Sequence, residues 1–267
     1  MPVALTIAGS DSGAGAGIQA DLKTFAALGV YGLTVITAVT AQNTLGVRAV
    51  QEIDPDVIRA QLDAVAEDFE VVALKTGMLS SSAIIEAVAD GIQRHQLAPL
   101  VIDPVMVAKS GDRLLQPEAV EGLRNRLLPL AAVVTPNLPE AEVLAGMRIR
   151  TRADRVVAGR AILALGARSV VVKGGHGGED PVVDMLVDRD GVTEFAASRI
   201  ATDQTHGTGC TFSAAITAGL ARGLTLTRAV EEARTYISRA LVEAPGLGHG
   251  HGPLQHYPVS DGVHAVR

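Results

Sequence analysis

The sequence predicts an α/β fold: one domain over residues 1–267, with a mostly parallel central sheet and helices on both faces. Three observations carry that prediction. Short apolar runs alternate with helical patterns, the signature of a parallel sheet wrapped in helices. Apolar residues make up 48% of the chain, yet aromatics only 3% and tryptophan none, so the core must be Ala, Val, Leu and Ile. Such a core suits strands buried on both faces. Finally, polar and glycine-rich turns follow the apolar runs, where open α/β sheets hold their ligands.

The predicted strands, in order, are Val3–Ala8, Leu33–Val39, Val71–Lys75, Leu100–Asp103, Ala132–Thr135 and Ser169–Lys173. Between the second and third, Asp54-Pro55 is a helix start: a capping Asp, then Pro at the first helical position. Ile58, Leu62, Val65 and Phe69 then recur on one helical face. Val182–Val187 and Val192–Ala196, joined by Asp188-Arg189-Asp190-Gly191, read as a β-hairpin. Two helices follow, Gly207–Ala221 and Thr227–Val242, with Gly223 where a C-terminal glycine is expected. From about Gly246 the chain is rich in Gly, His and Pro and reads as irregular. The strand ends offer Gly9-Ser10-Asp11, Gln42-Asn43, Thr76-Gly77, Asp103-Pro104, Asn137 and Gly174-Gly175 as site candidates.

Composition excludes several classes. A net charge of -6 without a basic tract argues against a nucleic-acid partner. The single cysteine, Cys210, excludes an internal disulfide and a multi-cysteine zinc site, and fits a reducing compartment such as the cytoplasm. The N-terminal MPVALTIAGSDSG reads as a strand, not a signal peptide. No apolar run nears the roughly 20 residues of a membrane helix. A Walker-type phosphate loop, a nucleophile elbow and a His-Glu-x-x-His zinc motif are all missing. Gly13-Ala14-Gly15-Ala16-Gly17 looks like a dinucleotide fingerprint, but its third glycine comes one residue early.

The segment that holds is Thr205-His206-Gly207-Thr208-Gly209-Cys210-Thr211, which opens a helix. Glycines allow close backbone approach, and the N–H groups of a helix start attract an anion. This is a plausible anion hole for a phosphoryl group in flight. A thiol in such an electropositive turn is expected to have a lowered pKa. The same residues also describe a tight turn into a buried helix, with Cys210 as a small core residue.

Gly207-Thr208-Gly209-Cys210 resembles the Gly-Ala-Gly-Asp anion-hole motif of ribokinase-like kinases, with Cys in place of Asp. With Thr-His before it, the stretch is similar to the hydroxymethylpyrimidine/phosphomethylpyrimidine kinase branch. AGSDSGAGAGIQADLKTF, TAVTAQNTLGV, KTGML, VIDPVMVAKSGDRLL, TPNLPEAE, VVVKGGH and GHGHGP extend the resemblance almost to the C-terminus. It implies a ribokinase-like fold, ATP and Mg²⁺ as cofactors, and a homodimer. It implies phosphorylation of 4-amino-5-hydroxymethyl-2-methylpyrimidine and then of its monophosphate, for thiamine synthesis. A pyridoxal kinase of the same Cys-containing type and a non-catalytic pyrimidine-binding protein are the rival readings.

The resemblance also implies roles. Gly9, Asp21, Gln42, Met78 and Val105 would form the substrate pocket, with Asp21 orienting the hydroxymethyl group. A glutamine carboxamide matches a ring nitrogen beside an amino group, and Met offers a polarizable surface to a flat ring. Read alone, Gln42 is equally a turn residue and Met78 a core residue. Gly207, Thr208 and Gly209 would form the anion hole, and Cys210 would be the general base or would shape the pocket. Asp103, Asn137 and Glu140 would serve magnesium, although Glu140 in a first helical turn also offsets the dipole. Lys173 would meet nucleotide phosphates, or is a solvated strand-end lysine. Lys109-Ser110-Gly111-Asp112 reads as a closing loop. His249, His251 and His256 are a weak metal motif, because flexible glycine spacing does not preorganise ligands.

Overall fold

A computed structural model of the chain describes residues 1–108, 111–112, 114–175 and 177–257. Nine strands form one sheet in the order β3-β2-β1-β4-β5-β6-β7-β8-β9. They are β1 (Val3–Asp11), β2 (Tyr31–Asn43), β3 (Gly46–Glu52), β4 (Ala73–Thr76), β5 (Leu100–Ile102), β6 (Ala131–Val134), β7 (Ser169–Val172), β8 (Val182–Asp188) and β9 (Val192–Ala197). From β2 through β7 all neighbours pair in parallel. Antiparallel β3 closes one edge and the β8–β9 hairpin the other.

The central strands are apolar throughout because both their faces are covered. Side chains alternate between the two layers. Leu100 and Ile102 point to the side packed by Ile58 and Leu62 of α2 (Pro55–Ala66), Ile84 and Ile85 of α3 (Ser82–Arg94), Leu144 of α5 (Leu138–Ala145) and Ile162 of α6 (Arg152–Ala164). The short α4 (Ala119–Gly122) joins this layer through Ala119. Val101, Val133 and Val171 point the other way, onto Phe212 and Ile216 of α7 (Thr208–Ala221) and Val230 and Ile237 of α8 (Leu226–Val242). On that same face, Phe25 of α1 (Gly17–Ala27) packs with Ala4, Val30, Ala214 and Ala218.

The predicted helices over 54–69, 207–221 and 227–242 are present with small changes of boundary. Asp54 caps α2 by accepting from the Asp56 N–H at 2.8 Å, with Pro55 following. This helix stops at Ala66, so Phe69 is not on its buried face. Phe69 is exposed and stacks on Tyr31 with ring centroids 6.5 Å apart. Gly223 takes the left-handed conformation just after α7, as its position predicts. Strand β3 went unread. It is an edge strand with most residues exposed, so no alternation of apolar and polar residues marks it.

The predicted irregular tail has no helix or strand from Gly246 to Tyr257, but it is docked. The Thr44 side-chain oxygen accepts from the N–H groups of His249 and Gly250, each at 3.2 Å. The His206 N–H donates to Gly252 O at 3.1 Å. Positions 258–267 lie outside the described residues.

Replacing the fully buried Phe25 by Ala removes the main contact between α1 and α7. We expect a loss of about 3–5 kcal/mol in denaturant unfolding at 25 °C, against almost none for the exposed Val192→Ala.

Candidate active site

From β1 the chain passes through α1 to β2 on one side; after β3 and α2 it returns to β4 on the other side of β1. Connections therefore leave in opposite directions at β1, which opens a crevice at the carboxyl ends of the strands. A cavity of about 720 Å³ lies there. Its wall includes Gly9, Gln42, Met78, Val105, Asp103, Asn137, Glu140, Lys173 and the whole run Gly207 to Cys210. Twelve of the thirteen residues singled out from the sequence thus meet around one space.

The exception is Asp21. It is fully buried in α1 and does not reach the wall. Its Oδ2 accepts from Thr6 Oγ1 at 2.6 Å and its Oδ1 from Lys75 Nζ at 2.8 Å. An ion pair beneath the floor replaces the expected contact with substrate. Lys75, in β4, is fully buried as well. Burial opposes both charges, but the contact with Asp21 wins at Lys75, whose ammonium is held above the usual lysine range. Lys75 was quoted within KTGML without a role. A lysine that closes the apolar run Val71–Leu74 is the signal that marks it, because a charge is buried only with a partner.

The start of α7 has the backbone form expected of this segment. Gly207 caps α7 in the left-handed conformation (φ 81°), and a Cβ on it would lie 1.8 Å from Gly15 O. Only glycine fits there. The first-turn N–H groups of Gly209 and Cys210 have no acceptor within the helix and face the cavity end of α7. A Cβ at Gly209 would stand 3.3 Å from Lys173 Nζ and from Asp103 Oδ2, so those charges lie just under the hole.

Cys210 departs from expectation. Burial pushes its thiol up to about 12, which outweighs the favourable charge of Lys75 and the N–H of Gly17. The carboxylates of Asp103 and Asp21 push the same way. The helix start is electropositive, but the pocket floor beneath it is crowded and carries both signs of charge. At neutral pH the sulfur therefore carries its proton.

Asp103 follows β5 and pairs with Lys173 at 3.1 Å through Oδ1. Its Oδ2 is buried without a hydrogen-bond partner. Asn137 and Glu140 form a capping box at the start of α5: Asn137 Oδ1 accepts from the Glu140 N–H at 2.9 Å, and Glu140 Oε2 accepts from the Asn137 N–H at 2.8 Å. Asn137 thus caps α5 while lining the cavity, and its amide oxygen keeps a second lone pair. Burial raises Glu140 to about 7, with Asp103 adding to the rise and Lys173 opposing it. No group of three or more His, Cys, Asp or Glu among the described residues is arranged to hold a metal by itself. An orphan carboxylate oxygen beside a second buried carboxylate nevertheless fits a hard cation that keeps waters and arrives with phosphates.

The histidines of the tail do not cluster for a metal. His256 is buried, its Nε2 3.1 Å from Thr211 Oγ1, and burial lowers its pKa to about 4. His249 and His251 are exposed. Of the expected closing loop, Lys109 and Ser110 lie outside the described residues, as does His176 of the Gly174-Gly175-His176 turn. Asp11 and His206, quoted without roles, both line the cavity and meet at 2.8 Å.

A family model described as phosphomethylpyrimidine kinase matches residues 11–255. The chain belongs to the phosphomethylpyrimidine kinase family. Members of this family are kinases, and a helix start whose N–H groups would suit a phosphoryl group lines the cavity. A relative in Escherichia coli K12, a hydroxymethylpyrimidine/phosphomethylpyrimidine kinase, is 51% identical over 257 residues, which cover 95% of this chain and 97% of the relative. The solved phosphomethylpyrimidine kinase of Clostridium difficile 630 has 46% identity and a TM-score of 0.81, covering 90% of this chain and 99% of that one. A Bacillus subtilis pyridoxal kinase, solved as an ADP complex, has 45% identity and a TM-score of 0.90, covering 97% and 98%. The ribokinase-like expectation holds.

Two measurements test this site. Lys75→Met should cost about 3–5 kcal/mol of folding stability by leaving the buried Asp21 carboxyl without its partner, and adding Asp21→Asn should restore much of it. Additive losses would contradict the pairing. Alkylation of Cys210 by iodoacetamide at pH 8 should be at least about 100-fold slower than that of free cysteine, and its rate should still be rising at pH 10.

Proposed function

We propose that this chain transfers the γ-phosphoryl group of ATP to the hydroxymethyl oxygen of 4-amino-5-hydroxymethyl-2-methylpyrimidine, and then to the resulting monophosphate. The product would be the diphosphate used in thiamine synthesis. The observation that carries the reading is the convergence of Gly207–Cys210, Lys173 and Asp103 on one cavity that Gly9, Gln42, Met78 and Val105 also line. Gly9 stands against the Met78 thioether, which a Cβ there would touch at 3.5 Å. Met78 and Val105 offer apolar surface to a ring, and Gln42 offers donor and acceptor to its edge.

Phosphoryl transfer depends on alignment and charge neutralisation more than on a strong base. The N–H groups of α7 would take the charge that develops on the transferred group. Lys173, held protonated by Asp103 and Glu140, would meet the phosphates as a point charge. Mg²⁺ bound with ATP would be held by Asp103 and Glu140, partly through water, and would neutralise phosphate charge. Cys210, protonated at neutral pH, is a wall of the pocket rather than a resting base. Its sulfur would set the position of the attacking oxygen.

A cytoplasmic homodimer completes the proposal. Exposed Val39, Leu45 and Val50 along β2 and β3 offer apolar surface for a second copy. No helix of the described residues is long and apolar enough to cross a membrane. Likeness to a pyridoxal kinase makes pyridoxal the second substrate class to test.

The deciding experiment is a coupled ADP-release assay with ATP and Mg²⁺ on the hydroxymethylpyrimidine, its monophosphate, pyridoxal and ribose. We expect turnover of the first two, well above any on pyridoxal, and none on ribose. Turnover of pyridoxal alone would overturn the substrate. Binding of the pyrimidine without turnover of any substrate would favour a non-catalytic binding protein.

A further inference from the structure

Asp11 ends β1 with a buried carboxylate that has four partners. Its Oδ1 accepts from the Gly13 N–H at 2.8 Å, and its Oδ2 from Gly15 at 3.0 Å and Ala16 at 2.8 Å. The fourth is His206 Nε2, 2.8 Å from Oδ2 and 195 residues away in sequence. Burial alone would raise this carboxyl, but His206 and the N–H groups hold it below the usual range. The His206 ring stands against Gly15, where a Cβ would come within 2.3 Å of its Cδ2. His206 is followed directly by Gly207, whose own backbone touches Gly15.

One carboxylate therefore joins the loop that starts α1 to the loop that starts α7. Both starts face Cys210: Gly17 directs its N–H at the thiol, and Cys210 lies in the first turn of α7. We propose that Asp11 is a positioning residue for phosphoryl transfer, acting through His206 to hold the α7 anion hole in register with the acceptor end of the cavity. Neither side chain takes up the proton or the phosphoryl group. The inference rests on the kinase reading above and adds to it a role for two residues outside the anion hole.

Donor placement matters most where charge develops, so the effect should fall on kcat. In the full chain, Asp11→Asn and His206→Leu should each lower kcat about 10- to 100-fold and leave KM for ATP within about 3-fold. His206→Gln, whose amide nitrogen can still donate to Asp11, should recover most of the lost rate. Asp11→Asn with His206→Leu should be no slower than the slower single variant, because both break the same link. Full activity in His206→Leu, or a double variant whose losses multiply, would overturn the proposal. So would His206→Gln as slow as His206→Leu, since the ring would then act in its own right.

Binding of ADP with aluminium fluoride, a mimic of the phosphoryl group in flight, gives a readout independent of turnover. It should weaken in Asp11→Asn and His206→Leu while ADP alone binds as before, and equal binding would count against positioning. If Asp11→Asn fails to fold, the two His206 variants decide. A wild-type chain that binds the mimic but turns over no pyrimidine would sink the substrate reading and leave Asp11 to be judged by the mimic. A chain that binds neither ADP nor the mimic would overturn both.

Discussion

The site depends on two backbones meeting with no room for a side chain between them. Gly207 and Gly15 touch directly, a Cβ at Gly207 being excluded by 1.8 Å from the Gly15 oxygen. Because they touch, the starts of α1 and α7 lie side by side at the ends of β1 and β4. Two helix dipoles then direct their positive ends at one spot. Gly17 repeats the constraint: its φ is +57° and a Cβ there would meet Gly9 O at 2.3 Å. These glycines lower helix propensity where they stand, and the packing of α1 and α7 on the sheet outweighs that cost.

The floor beneath these helix starts is charged as well. The fold supplies two buried pairs, Lys75 with Asp21 and Lys173 with Asp103, at 2.8 Å and 3.1 Å. Buried pairs add little to stability compared with apolar residues of the same size, but losing one partner is expensive. Their placement under the cavity is therefore better explained by electrostatics than by folding. They keep two cations close to where phosphates would lie, and burial prevents water from screening them. The same burial explains why Cys210 keeps its proton beside a helix start.

Much of the architecture was legible in the sequence. The unbroken apolar runs of Leu100–Ile102 and Val170–Val172 require two covered faces, and the Asp54-Pro55 signal is a local matter of backbone donors. The anion hole was legible too, because a glycine requirement is a property of one turn. Strand β3 was not, since its residues face solvent and bear no pattern. Periodicity does not show that Phe69, whose N–H still donates to Val65 O at 3.0 Å, turns its ring outward onto Tyr31. Resemblance supplied the candidate residues, and the structure sorted them: Gln42, Met78 and Val105 reach the cavity, Asp21 turns beneath it, and Asn137 caps a helix.

By itself the sequence determined the layered α/β fold, the glycine-bearing helix start at Gly207 and the family. Each of these rests on short-range rules or on residues read in order. Only the tertiary structure decided the partners of the buried charges. Asp11 finds His206 across 195 residues, Asp21 finds Lys75 across 54, and Lys173 finds Asp103 across 70. It also decided the state of Cys210, because a pKa answers to the dielectric and the charges around a group, and those are assembled only when distant strands meet.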